Sequence, residues 1–304
     1  MMGLCTPTPT FPPGTDLTGK SILITGAASG LGYQSVVSLL SHDRPPAVIF
    51  LTARTLAKAA AAVSTLPTTP THPTKIIPLA LDLTSFASIA ALPPSLPPGS
   101  ALDILLLNAG IMAVPPGLTA DGYEIQFGTN HLGHALLTKL LLPLLQQSPA
   151  PRVVVLSSAG HRSWPQGWGL KPGSLRTDAS ELGAYERYFR SKLANVLFAR
   201  EMARRYPGVK TVSVHPGIVD TGIVGSETPW VVTAAIKVFK PLVVRSVEDG
   251  VRNQLWACVS DDVVSGEYYH PVGVAGKASK DAKDDGLAAE LWEWTEKELA
   301  VHGY

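Results

Sequence analysis

Tyr188 and Lys192 stand four residues apart in a segment, 185–206, that reads as a helix, so the phenol and the ammonium share one helix face. A free phenol with a pKa of about 10 is a poor base at neutral pH. A cation at about 4 Å in an effective dielectric of ~20 offers ~4 kcal/mol, an upper bound of about three pKa units. The pair therefore predicts a phenol that exchanges a proton near neutrality: a general acid toward a carbonyl oxygen, a general base toward an alcohol.

A second chemical feature lies near the N-terminus. Thr25-Gly26-Ala27-Ala28-Ser29-Gly30-Leu31-Gly32 follows a strand-like run directly and opens a helical one. Gly26 permits a tight turn, Gly30 lets a pyrophosphate approach the backbone, and Gly32 allows close packing of helix on strand. Between them, Ser29 and Leu31 begin the helix, whose free N–H groups and positive dipole end suit an anion.

The elements that must position these residues alternate regularly. Residues 21–25, 47–52, 75–81, 103–107, 152–157 and 209–214 are short and almost continuously apolar, as strands covered on both faces require. Between them, 30–41, 56–66, 123–145 and 185–206 read as helices. Strand–helix repetition of this kind predicts an α/β fold: one Rossmann-type doubly wound domain over 19–304, with a parallel sheet of about seven strands flanked by helices. Residues 1–18 are rich in Pro and Thr and read as a loose arm. The Pro-rich stretches 67–73 and 93–99 read as surface loops.

Composition excludes several classes. Hydrophobic residues make up 45% of the 304 and charged ones 16%, enough for a large core and too apolar for general disorder. Lys+Arg 25 against Asp+Glu 24 leaves a charge of +1, with no basic stripe for nucleic acid. Two cysteines, Cys5 and Cys258, make no disulfide framework. No signal peptide or spanning segment is read, because lysines and prolines interrupt the apolar stretches 135–145 and 230–244. The expectation is a cytoplasmic protein. Among eight histidines, His131-x-x-His134 has ligand-like spacing, but no Cys or carboxylate cluster completes a set and no metal is expected.

The spacing of the glycine loop, T-G-x-x-x-G-x-G, resembles the short-chain dehydrogenase/reductase pattern. Further motifs follow in that family's order: Asn108-Ala109-Gly110, Asn130, Ser157-Ser158, Tyr188-x-x-x-Lys192 and Pro216-Gly217. The resemblance spans roughly residues 18–300. It is greatest to the retinol dehydrogenase and WW-domain oxidoreductase branch, carried by Arg54, Ser157-Ser158-Ala159-Gly160-His161, Ser191-Lys192-Leu193-Ala194-Asn195 and Ser265-Gly266-Glu267-Tyr268-Tyr269. Ser158 and Tyr188 lie 30 residues apart, farther than in many members, so the chain between them must loop out for the two to meet.

The resemblance implies roles. Ser158, with Ser157 as the alternative register, would hydrogen-bond the substrate oxygen and stabilise charge growing there. Asn130 would hold a water that links Lys192 to solvent, and Lys192 would also hold the nicotinamide ribose. Asp82 with Leu83 would meet the adenine, while Asn108, Ala109 and Gly110 would line the adenine ribose and the sheet crevice. Val219 and Thr221, just after Pro216-Gly217, would hold the carboxamide. The second strand ends in Arg54 with no carboxylate nearby, which favours NADP(H) over NAD(H), because an acidic residue grips a ribose 2′-hydroxyl and an arginine suits a 2′-phosphate.

The function expected is hydride transfer between NADP(H) and a carbonyl or secondary alcohol. The alternatives are a non-redox enzyme using the same pocket for cyclisation, dehydration or isomerisation, and a nucleotide-binding regulatory protein. Residues 223–244 are apolar, open near Gly222 and Gly225, and read as a lid over a bulky, largely apolar small-molecule substrate. A homo-oligomer is possible.

Overall fold

The computed structural model of the chain describes residues 10–67, 74–97, 99, 101–167, 169–217, 219 and 246–304. The expected lid over 223–244 and Thr221 lie outside the described residues.

Six strands coincide with the six expected runs to within one residue at either end: β1 (Ser21–Ile24), β2 (Val48–Ala53), β3 (Lys75–Ala80), β4 (Ile104–Leu107), β5 (Arg152–Leu156) and β6 (Lys210–Val214). The seventh, β7 (Tyr268–Tyr269), pairs with Ser213 and Val214. All pairings are parallel, in the order β3-β2-β1-β4-β5-β6-β7. The continuous apolar character of the strands has a direct cause. In β1, Leu23 faces one core with Phe50, Leu105 and Val153, whereas Ile22 and Ile24 face another with Ile49, Leu51 and Ile104. Both faces of the sheet are thus roofed by helices, and exposed strand positions are confined to the edge strand β3, at Lys75 and Ala80.

On one face lie α1 (Gly30–Leu40), α2 (Leu56–Ser64), α7 (Val247–Gly250) and α8 (Arg252–Val259). On the other lie α3 (Phe86–Ala90), α4 (Ile125–Phe127), α5 (Gly133–Leu145), α6 (Ala184–Arg205) and α9 (Asp285–Val301). Strand order reverses between β1 and β4, and in doubly wound sheets the ligand crevice opens at that switch point, beyond the carboxyl ends of the strands.

Two expectations are corrected. The helix read as unbroken over 123–145 is α4, then a π turn over Gly128–Leu132, then α5. Asn130 sits inside that π turn. The described part of the N-terminal arm is docked and not loose: Leu17 is 3% exposed, its amide donates to the Arg44 carbonyl at 3.1 Å, and the Phe11 ring stacks edge-on to His42 at 4.6 Å.

Buried charge ties the start of α4 to α6. Glu124, fully buried, accepts hydrogen bonds from the amides of Gln126 and Phe127 at 3.0 and 2.7 Å. It faces Arg187 at 3.5 Å and Arg190 at 3.9 Å on α6. The long connection before Tyr188 folds back as a wall, with Trp164, Leu175 and Ala179 buried in the same core as Leu193 and Leu197 of α6.

Candidate active site

The crevice at the switch point has a volume of about 330 Å³. Ten of the expected cofactor residues line it: Gly26, Ser29, Gly30, Leu31, Arg54, Asp82, Leu83, Asn108, Ala109 and Gly110. The loop has the close packing that its glycines predict. A Cβ on Gly32 would collide with the Gly26 carbonyl and lie 2.7 Å from Asn108 Nδ2 and 2.8 Å from Ala27 Cα. Gly26, at φ +64°, has its Cα against Ala109, where a Cβ would stand 3.0 Å from the alanine methyl. Asn108 is a strut: its Nδ2 donates to the Thr25 carbonyl at 2.9 Å, and its Oδ1 accepts from Gln254 of α8 at 3.3 Å.

The start of α1 differs from its neighbours. Thr55 caps α2 by accepting from the Lys58 amide and Ser85 caps α3 by accepting from the Ser88 amide, whereas Ser29 at the start of α1 makes no such bond. The first amides of α1 therefore face the crevice with no side-chain acceptor from their own cap, and no acidic residue lies in that first turn. This donor set fits a phosphate. Asp82 is partly engaged, its Oδ1 accepting from the Thr84 amide at 2.9 Å and hydroxyl at 2.7 Å. Arg54 is exposed at the crevice rim, immediately after β2. Val219 packs on α7 and α1, where a Cβ on Gly250 would lie 2.5 Å from Val219 Cγ2 and 2.8 Å from Leu31 Cδ2. Pro216 and Gly217 follow β6, with Gly217 at φ +95°.

Tyr188, Ser158 and Lys192 converge beside this crevice at the carboxyl end of β5. The Ser158 hydroxyl is close enough to the Tyr188 phenol to lower its pKa, although burial outweighs it, and Ser158 Oγ also accepts from the Gly160 amide at 3.0 Å. Lys192 Nζ lies 5.7 Å from the centre of the Tyr188 ring and donates to the Leu156 carbonyl at 3.0 Å. The structure also separates the two serines. Ser157 is buried and its hydroxyl donates to the Lys192 carbonyl at 2.7 Å, leaving Ser158 as the serine at the phenol. We therefore expect Ser158→Ala to lower kcat by about 10²–10³-fold with an unchanged Tm, as loss of one oxyanion-stabilising donor does. Ser157→Ala should chiefly destabilise, by roughly 1 kcal/mol for a lost buried hydrogen bond. Paired kinetics and thermal melts on the two variants check this, and equal kinetic losses would contradict it.

The electrostatics run opposite to the sequence expectation. Burial pushes the Tyr188 phenol up to about 12, against a smaller lowering by Ser158. Burial also lowers Lys192 to about 8. Spacing on one helix face brings the two side chains together, but both are enclosed, and the ammonium is turned to a carbonyl and not to the phenol.

Asn130, fully buried, is committed to the chain after β4. Its Oδ1 accepts from the Ile111 amide at 2.8 Å, and its Nδ2 donates to the Ile111 carbonyl and to Ser191 Oγ, both at 2.9 Å. A Cβ on Gly110 would lie 3.2 Å from Asn130 Oδ1 and 3.4 Å from Lys192 Nζ, so this glycine brings the crevice against Asn130 and Lys192. His161 is a further member that motif reading did not single out. Its Nε2 accepts from the Ser279 amide at 3.1 Å, so the Nδ1 proton faces the Ser158 carbonyl at 2.6 Å. Burial depresses its pKa to about 4, keeping the ring neutral as a brace on the serine. Only its place in the Ser-Ser-Ala-Gly-His run hints at this. Among the described residues no group of three or more His, Cys, Asp or Glu could hold a metal ion; His131 instead meets Thr295 of α9 at 3.1 Å.

A doubly wound parallel sheet with a phosphate-fitting loop at its switch point defines the Rossmann-type fold class. Residues 20–168 match the family model described as short chain dehydrogenase. A short-chain dehydrogenase/reductase of Armillaria gallica is 33% identical, over 92% of this chain and 90% of its own. Retinol dehydrogenase 14 of Homo sapiens is 35% identical, over 91% and 85%. Among solved structures, an uncharacterized protein of Mycobacterium paratuberculosis superposes with a TM-score of 0.72 at 31% identity, covering 93% of this chain and 94% of that one. The chain belongs to the short-chain dehydrogenase/reductase family, and its relatives include retinol dehydrogenases. That family uses a nicotinamide cofactor on alcohol and carbonyl groups.

Proposed function

We propose that the chain is an NADP(H)-dependent oxidoreductase that interconverts a carbonyl and a secondary alcohol on a bulky, largely apolar substrate. The observation that carries this is the convergence of Ser158, Tyr188 and Lys192 beside the glycine crevice, with Lys192 Nζ 5.7 Å from the centre of the Tyr188 ring and the Ser158 hydroxyl acting on the phenol. The bound nicotinamide supplies or accepts the hydride. Ser158 donates a hydrogen bond to the carbonyl oxygen and steadies the charge that grows there. Tyr188 delivers its proton to the same oxygen. Lys192, Asn108, Ala109 and Gly110 would hold the nucleoside parts, and the first amides of α1 the pyrophosphate. Among the described residues no helix is long and apolar enough to cross a membrane.

The preference for NADP(H) rests on Arg54, which stands at the crevice rim where the family's second strand ends. A guanidinium there can grip a 2′-phosphate in a charge-assisted pair. Arg54→Asp should weaken NADPH binding about tenfold or more and spare NADH; equal affinities of the unaltered protein for the two would contradict the preference.

The apolar substrate class rests on the composition of residues 223–244. The test is nicotinamide absorbance over a panel of carbonyls and alcohols, with kcat/KM for large apolar members expected to exceed that for sugars and small acids. A panel-wide lack of turnover would overturn the reading.

A further inference from the structure

His134 is fully buried on the first turn of α5, and both of its ring nitrogens are paired. Nδ1 stands 2.9 Å from the Asn130 carbonyl oxygen, which can only accept, so Nδ1 carries the proton. Nε2 stands 2.9 Å from Thr25 Oγ1 and accepts its hydroxyl hydrogen; the alternative acceptor for that hydrogen, the Leu106 carbonyl, is 3.5 Å away. Thr25 Oγ1 in turn accepts the Ala109 amide at 2.9 Å, while Asn130 Oδ1 accepts the Ile111 amide at 2.8 Å. The loop after β4 is therefore clamped at 109 by the end of β1 and at 111 by the π turn, and His134 alone hydrogen-bonds both clamps among the described residues. The π turn spans Gly128–Leu132, where the Gly133 amide reaches back five residues to the Gly128 carbonyl, and the His134 ring meets the Asn130 carbonyl inside that turn.

We propose that His134 is a positioning residue that couples the cofactor crevice to the catalytic cluster, its Nε2 arm setting Thr25 and Ala109 and its Nδ1 arm setting Asn130. This rests on reading the crevice as the nucleotide site and Asn130 as a support of the Lys192 end. Neither the family's motif pattern nor the residues that line the crevice assign His134 a role. Burial, which lowers its pKa to about 4, keeps the ring neutral across the physiological range, and the hydrogen bonds to the Asn130 carbonyl and Thr25 fix one tautomer, as a fixed coupler requires.

Two replacements cut one arm each. The amide nitrogen of Asn can stand where Nδ1 stands but cannot reach Thr25; the amide of Gln can reach Thr25 but leaves the Asn130 carbonyl without its donor. We expect His134→Asn to raise the dissociation constant for NADPH about tenfold, with a kcat loss below about threefold. His134→Gln should do the reverse, lowering kcat about tenfold at saturating NADPH with a change in binding below about threefold. Binding is read by quenching of protein fluorescence, and turnover by nicotinamide absorbance. Binding and kcat moving together in both variants, in step with a fall in Tm, would overturn the coupling and leave a purely structural histidine. Nitrogen NMR of the unaltered protein gives an independent reading: a neutral His134 ring protonated on Nδ1 supports the assignment, and a charged ring or one protonated on Nε2 overturns it. If the unaltered chain binds no NADPH, the nucleotide-site reading itself falls, together with the inference built on it; if it binds NADPH and the variants show no split, the inference alone falls.

Discussion

Replacing Tyr188 with Phe should lower the rate of carbonyl reduction by about 10²–10⁴-fold, the usual worth of a positioned general acid. The substitution removes one hydroxyl from a residue only 8% exposed and leaves the ring in place. The variant should therefore melt as the parent does and bind NADPH with similar affinity, and the loss should appear in kcat. The environment of the phenol also sets a direction. Burial holds its pKa at about 12, so Tyr188 is protonated across the neutral range and ready to donate. Reduction should be nearly flat from pH 6 to pH 8, roughly the interval over which an unshifted histidine would titrate. Oxidation needs the phenolate, and its rate should climb about tenfold per pH unit over the same interval. Retention of most activity by Tyr188→Phe would contradict the assignment.

Lys192→Met should abolish turnover to a similar degree and yet make the protein more stable. The ammonium is 3% exposed and its pKa falls from 10.5 to about 8 by burial. A lysine whose folded-state pKa lies below its unfolded value binds its proton more weakly when folded. Its burial is therefore unfavourable wherever the unfolded chain is charged, most fully below pH 8, and the cost is relieved as pH rises from about 8 toward 10.5. The difference of about 2.5 units, at ~1.4 kcal/mol each, corresponds to roughly 3 kcal/mol. Removing the charge should thus raise Tm at pH 7 and erase the stability gain that the parent shows between pH 8 and 10.5. The Leu156 carbonyl that Lys192 releases keeps a donor, because Asn195 Nδ2 reaches it at 2.9 Å. A stability profile unchanged by the substitution would contradict the account of a desolvated lysine. In the proposed mechanism, local stability is given up to keep a cation at the edge of the cofactor crevice.

Much of this was legible in the residues, for reasons that differ from element to element. Strands such as 152–157 announced themselves because both of their faces are covered, which leaves almost no polar position between Val153 and Leu156. The glycine loop was legible because its spacing is a packing constraint: Gly32 has the Gly26 carbonyl where a side chain would be. β7 was not placed, because two tyrosines carry no periodicity, and their strand is set by pairing with Ser213 and Val214. The π turn was hidden because inserting one residue into a fully buried stretch disturbs no polar–apolar alternation; Gly128 to Leu132 are all buried.

Among site residues, spacing alone brought Tyr188 and Lys192 together and left open which serine met them. The answer depended on the Ser157 hydroxyl turning to the Lys192 carbonyl, a three-dimensional fact. The sign of the phenol's pKa shift was likewise out of reach, since it is decided by enclosure and not by the interval between two residues on one helix.

The central claim is that Tyr188 and Ser158 serve a hydride transfer and not another reaction in the same pocket. The most direct measurement uses NADPH carrying deuterium at the transferable position, incubated with the unaltered protein and a bulky apolar ketone, with the product examined by mass spectrometry. The account predicts one deuterium on the carbinol carbon for each nicotinamide oxidised, and product formation that collapses in Tyr188→Phe. Turnover that leaves the deuterium on the cofactor, with no change in nicotinamide absorbance, would contradict it and assign the site to non-redox chemistry.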